Sequence, residues 1–215
     1  MHSAPAPFVD LPPRVKRAIL GLGAAVTIAG TVGTALLPSL SVRHPMVLLA
    51  LAPNYLGLVA PRVDFTPAYL LVAARRLLGM WAIYGFGGLY GEGALKLIEG
   101  RSPRAHAAVA WVSSRFQRYG ELFIALMPGV AVSLIAGVSG LSPRRFALSA
   151  ALGQLIWTAV YFRFSIAIGA FSTRVLEFLE AHIVPASAVF LALVFAQWLL
   201  SRRSAKGGDA EPRAP

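Results

Sequence analysis

Two apolar stretches decide how this chain is read: PMVLLALAPNYLGLVAP at Pro45–Pro61 and LFIALMPGVAVSLIAGVSGL at Leu122–Leu141. Each carries a proline near its middle, Pro53 followed by Asn54 in the first and Pro128 followed by Gly129 in the second. A proline inside a helix removes a backbone donor and clashes with the preceding turn. In hydrocarbon, the peptide groups it frees are tolerated only where protein or a polar cavity covers them. Both stretches therefore predict re-entrant hairpins, over 45–61 and 122–141, each entering and leaving on one face of a membrane. Pro53, Asn54, Pro128, Gly129 and Ser133 are the expected tip residues, with Asn54 and Ser133 placed to satisfy freed backbone groups.

The flanking sequence supports a membrane setting. Of 215 residues, 57% are hydrophobic and only 13% charged, with a mean hydropathy of +0.66, whereas a soluble domain carries about 25% charged residues. The apolar residues lie in blocks, at Ala18–Leu40, Phe65–Gly91, Phe146–Phe171 and Ile183–Leu200, which predict about four transmembrane helices. The expected fold class is an all-α integral membrane protein. A basic start before an apolar block also describes a signal peptide, but the length and glycine content of Ala18–Leu40 favour a retained span. Residues 1–17 read as an N-terminal cytoplasmic tail, 18–200 as a single membrane domain, and 201–215 as a disordered basic C-terminal tail. In the charged stretch Glu92–Gly120, Ala105, Val109, Val112 and Phe116 recur at helical spacing, which predicts an interfacial amphipathic helix. Arg174, Glu177, Glu180 and His182 read as a loop.

The net charge is +11, but the basic residues sit at the ends of apolar blocks. That placement points to membrane orientation and anionic lipid rather than nucleic acid. With both broken segments re-entrant, most short-loop basic clusters fall on the cytoplasmic side, as do both termini; treating them as full crossings fits the charges less well. Such an orientation matches an integral plasma-membrane protein. The absence of cysteine excludes disulfides, thiolate metal sites and thiol catalysis. His2, His44, His106 and His182 share no metal-ligand spacing, and no nucleophile has a base in register, so neither a cofactor nor an enzyme is expected.

The broken segments also define a repeat. Pro53 corresponds to Pro128 and Pro67 to Pro143; Leu78-Gly79 and Leu152-Gly153 follow, and then Trp81 and Trp157. Paired interrupted segments in two halves are characteristic of transporter-type inverted repeats.

Arg118-Tyr119-Gly120 followed by FIALMPGVAVSLIAGVSGLSPRRFALSAALGQLIW, Phe123–Trp157, resembles the core of the DedA family, the VTT or SNARE-associated Golgi protein superfamily. The resemblance covers roughly Pro45–Gly169 and is most specific in the second half. It implies two opposed re-entrant helices in an inverted repeat. It also implies an association with moving lipids, including polyprenyl phosphates and phospholipids, with proton-linked function in some members. This chain departs from the family pattern: Ala125 and Ala131 stand where arginines flank the second proline, and Pro45–Pro61 contains no acidic residue. The fold carries over better than the mechanism.

Charged residues within or beside the blocks are the candidate site. Arg163 lies deep in Phe146–Phe171, where burial in lipid demands a polar cavity, a partner or snorkelling to the interface. Arg75 and Arg76 interrupt Phe65–Gly91, and guanidinium suits a phosphate headgroup through charge-assisted bonds. Glu121 is the one carboxylate placed for a proton-linked role, and also reads as an interfacial helix-start residue. Gly87 and Gly91 form a GxxxG pair suited to close helix packing. The leading functional expectation is transport or scrambling of a phosphate-headed lipid, with anionic or phosphate-headed membrane lipids as partners and a homo-oligomer left open. The alternative is a non-transporting scaffold or envelope-homeostasis protein that lost the family's charged site. A proton-coupled transporter ranks below both.

Overall fold

The computed structural model describes residues 11–91, 116 and 119–207, with side chains to residue 196. The amphipathic helix expected around Ala105–Phe116 lies outside these residues, Phe116 excepted. The described elements are α1 (Pro13–Ala35), α2 (Leu37–Arg43), α3 (Pro45–Leu51), α4 (Leu56–Val59), α5 (Phe65–Tyr90), α6 (residues 119–126), α7 (Val130–Val138), α8 (Pro143–Ala167), α9 (Gly169–Ala181) and α10 (Ile183–Gly207). No strand occurs among the described residues. Prolines open α1, α3 and α8, where the fixed φ fits the first turn and the missing N–H would be unpaired anyway.

Both helix breaks fall where proline puts them. α3 stops at Ala52 (φ −136°, ψ 80°), and a 3-10 turn over Pro53–Tyr55 leads into α4. α6 gives way to an extended Gly129 (φ −156°, ψ 175°) before α7 begins.

α5 and α8 run antiparallel through the centre, and each broken segment packs at one end of that pair. At one end, Leu48, Leu49, Leu56 and Val59 bury against Ala68 and Val72 of α5, Phe162 of α8, Leu37 of α2 and Leu176 of α9. At the other, Ile124 and Ile135 bury against Met80 and Tyr84 of α5 and Phe146 and Ala150 of α8. The stacked Tyr84–Phe146 rings, 4.2 Å apart, with Trp81 edge-on to both, anchor this second cluster.

Glycine permits the tightest crossing. A Cβ on Gly87 would overlap the Leu134 carbonyl, and one on Gly137 the Tyr84 carbonyl, so α5 and α7 touch backbone to backbone. Gly87 fills the packing role expected of it; Gly91 instead caps α5 with φ 53°.

Several boundaries differ from those expected. The Ala18–Leu40 block divides at Leu36 into α1 and α2. Arg174, Glu177 and Glu180 lie not in a loop but on α9, which leaves α8 at a 75° bend. Ser172 on that helix donates to the Gly57 carbonyl at 2.8 Å, a tertiary bond that gives the segment a reason to stay helical. The final helix continues to Gly207, past the expected end at Leu200. Where about four spans were expected, two helices among the described residues, Pro13–Ala35 and Phe65–Tyr90, are long and apolar enough to cross a membrane, and three if α8 with α9 is one bent span. Arg144, Arg145 and Arg163 lower the hydropathy of α8, and the described apolar part of α10 is the shorter Ile183–Ala196.

A cleft shared by the two helix breaks

A cleft of about 1210 Å³ opens between α1, α5 and the two breaks, and Pro53, Asn54, Pro128 and Gly129 all line it. Four expected tip residues therefore share one space. The fifth, Ser133, is buried one turn away and donates to the Gly129 carbonyl at 2.8 Å.

Each break leaves carbonyls without their helical donors, and a long neighbouring helix supplies replacements. Arg75 of α5 donates from Nε to Ala50 O at 2.9 Å and from Nη2 to Leu51 O at 3.3 Å, at the C-terminal end of α3. The same Nη2 reaches Val26 O of α1 at 2.9 Å, so one planar fork ties three elements together. At the second break, Trp157 of α8 donates its indole N–H to Leu126 O at 2.7 Å.

Arg76 is held differently. Its Nη2 lies 3.5 Å from Pro53 O, and its guanidinium sits 5.3 Å from the centre of the Tyr161 ring, a cation–π contact. Its Nε is buried without a hydrogen-bond partner, and so is Oε1 of Gln154, a cleft residue whose other amide atom donates to Met80 Sδ at 3.0 Å. Among the described residues, Arg75 and Arg76 are the charged side chains of the lining, and no Asp, Glu or His forms part of it. Among the described residues no cluster of His, Cys, Asp and Glu could hold a metal ion.

Two sequence-predicted residues lie elsewhere. Arg163 is exposed on a flank of α8 and is not part of the cleft lining. Glu121 pairs with Arg145 at 3.5 Å, with both side chains more than half exposed. Sequence reasoning marked Trp157 as a repeat landmark but missed its role as a cap, although an indole N–H in an apolar block needs a partner. It also missed Gln154 and the threonines of α1, Thr27, Thr31 and Thr34, all of which line the cleft.

The fold and cleft define a helical integral membrane protein with two broken helices facing one polar-floored space. Residues 45–167, more than half of the chain, match the VTT domain, and the chain belongs to that family, the DedA/SNARE-associated Golgi protein family. The matched region holds both breaks, α5 and α8; α1 lies outside it. No curated protein and no solved structure matches the chain.

Proposed function

We propose that this protein moves phosphate-headed lipids across the bilayer by way of the cleft, as a transporter or scramblase rather than an enzyme. The observation that carries the reading is electrostatic: among the described residues, two guanidinium groups and no carboxylate line the cleft. Uncompensated positive charge in a low-dielectric space favours an anion, and phosphate pairs with guanidinium through short, directional hydrogen bonds. Arg75 spends its donors on backbone carbonyls, so Arg76 is the residue assigned to the headgroup.

In this reading both broken segments are re-entrant, with N- and C-termini on the cytoplasmic side of a bacterial inner membrane. Two ion pairs support the re-entrant path of the second segment. Glu121 and Arg145, which flank the second broken segment, are 3.5 Å apart, so its entry and exit lie at one end of the molecule. Arg62 and Glu180 are 3.1 Å apart, although α5, the second broken segment and α8 all lie between them in sequence. Three full crossings in that interval would separate them by a bilayer.

The test is purified protein in liposomes carrying fluorescent phospholipids or a polyprenyl phosphate, with transbilayer movement read by a membrane-impermeant quencher. Movement above protein-free vesicles is expected, falling with Arg76→Gln and unaffected by Arg163→Ala. No movement of any lipid would reject the proposal. The second reading, a non-transporting scaffold, is favoured by Ala125 and Ala131, which leave the second break without flanking charge.

A further inference from the structure

We infer that the cleft-facing side of α1 is a polar track along which the lipid headgroup travels; this rests on the lipid-transport reading. All three threonines of α1, Thr27, Thr31 and Thr34, line the cleft, together with Gly23 and Gly30. Each hydroxyl donates back to its own helix: Thr27 to Gly23 O at 2.9 Å, Thr31 to Thr27 O at 3.0 Å and Thr34 to Gly30 O at 2.9 Å. With the donors occupied, the oxygens of Thr27 and Thr31 offer lone pairs to the cleft, while that of Thr34 also accepts from the Tyr55 hydroxyl at 3.3 Å. From Gly23 to Thr34 the row extends about 17 Å at the helical rise, more than half of a hydrocarbon core of about 30 Å.

The opposite wall supplies the complementary groups. Gln154 is 5% exposed, lines the same cleft, and has an amide oxygen with no partner, while Arg76 holds a buried, unpartnered Nε. Arg75 fixes the register by binding Val26 O, beside Thr27. A phosphate would pair with Arg76, and an N–H or O–H donor on the same headgroup would pair with the threonine oxygens and Gln154. Exposed Leu20 and Ile28 flank the row, giving acyl chains an apolar path outside. The fitting ligand is a phosphate-bearing headgroup with its own hydrogen-bond donor.

The cysteine-free chain allows a direct test. In liposomes, Thr27→Cys and Thr31→Cys should react with a membrane-impermeant thiol reagent roughly tenfold faster than Ala25→Cys and Val32→Cys, because thiols react as thiolates, which need water. The latter two residues are exposed but outside the lining. Short-chain phosphatidylethanolamine should protect Thr31→Cys, and glycerol phosphate should not; protection by glycerol phosphate alone would overturn the lipid assignment. A second measurement uses glycines with open space around them. A Cβ at Gly21, Gly23 or Gly30 meets nothing within 4 Å, so a side chain can leave the backbone at each without a clash. Gly23→Leu and Gly30→Leu should slow lipid movement severalfold, while Gly21→Leu, outside the lining, should not. Equal labelling at all four cysteines, or equal movement in Gly30→Leu and Gly21→Leu, overturns the track. A labelling contrast in a protein that moves no lipid keeps the track and sinks the transport reading.

Discussion

Trp157 donates its indole N–H to the carbonyl of Leu126 at 2.7 Å, which closes the second helix break with a side chain from α8. Replacing it with phenylalanine keeps most of the ring and removes the donor, leaving a carbonyl unpaired in an apolar setting. Trp157→Phe should lower stability by about 1–2 kcal/mol, measured by unfolding in mixed micelles.

Arg75 performs the same service at the first break with two bonds, to Ala50 O and Leu51 O, and adds a third to Val26 O of α1. Arg75→Leu should lose roughly 2–4 kcal/mol, and Arg75→Lys much of that, since an ammonium cannot reproduce the planar fork. Arg76→Gln should behave in the opposite way, leaving the melting temperature near wild type while lipid movement falls. A drop in stability for both would place Arg76 with the structural residues.

Close packing of α5 on α7 gives a steric prediction. At Gly137 a Cβ would meet Gly88 N at 2.8 Å as well as the Tyr84 carbonyl, and at Gly153 it would meet Ala125 O at 2.7 Å. Neither neighbour is a flexible side-chain end, so the helices must separate. Gly137→Ala and Gly153→Ala should each destabilise by about 1–3 kcal/mol. Gly21→Ala, in open space on α1, should stabilise by up to about 1 kcal/mol through helix propensity.

Among the described residues, the cleft lining contains no group that titrates near neutrality, neither His nor Asp nor Glu. Guanidinium stays protonated throughout, so the charge offered to a headgroup is constant. Lipid movement should be flat between about pH 5.5 and pH 8 and indifferent to a proton gradient. A sigmoidal pH dependence would require a titrating residue in the path.

The ion pairs make the membrane path of the second broken segment testable. Cysteines introduced as Arg62→Cys with Glu180→Cys, and as Glu121→Cys with Arg145→Cys, should each cross-link through a short bifunctional maleimide in intact membranes. A full crossing by the second broken segment would leave Arg62 and Glu180 on opposite faces, and the first pair would stay unlinked.

What could be read in advance was whatever depends on neighbours in sequence. Proline breaks a helix locally, so Pro53 and Pro128 located both interruptions, and the Phe65–Gly91 block located α5 to within a residue. Arg163 shows the limit. Its depth in an apolar block was visible, but its direction was not: Phe162 beside it is 1% exposed, whereas Arg163 faces outward. Hydropathy cannot distinguish those faces, because lipid tails are as apolar as a protein interior. For the same reason, adjacency alone could not separate the roles of Arg75 and Arg76, which point about 100° apart on a helix.

By itself the sequence determined a helical membrane protein with two interrupted segments, since length, hydropathy and proline act along the chain. Only the tertiary structure decided that both interruptions border one cleft, that Arg75 caps a break while Arg76 lies against Pro53 and the Tyr161 ring, and that the threonines of α1 line it. Those outcomes depend on which helices touch and at what rotation, set by backbone contacts such as Gly137 against Tyr84 and Gly153 against Ala125.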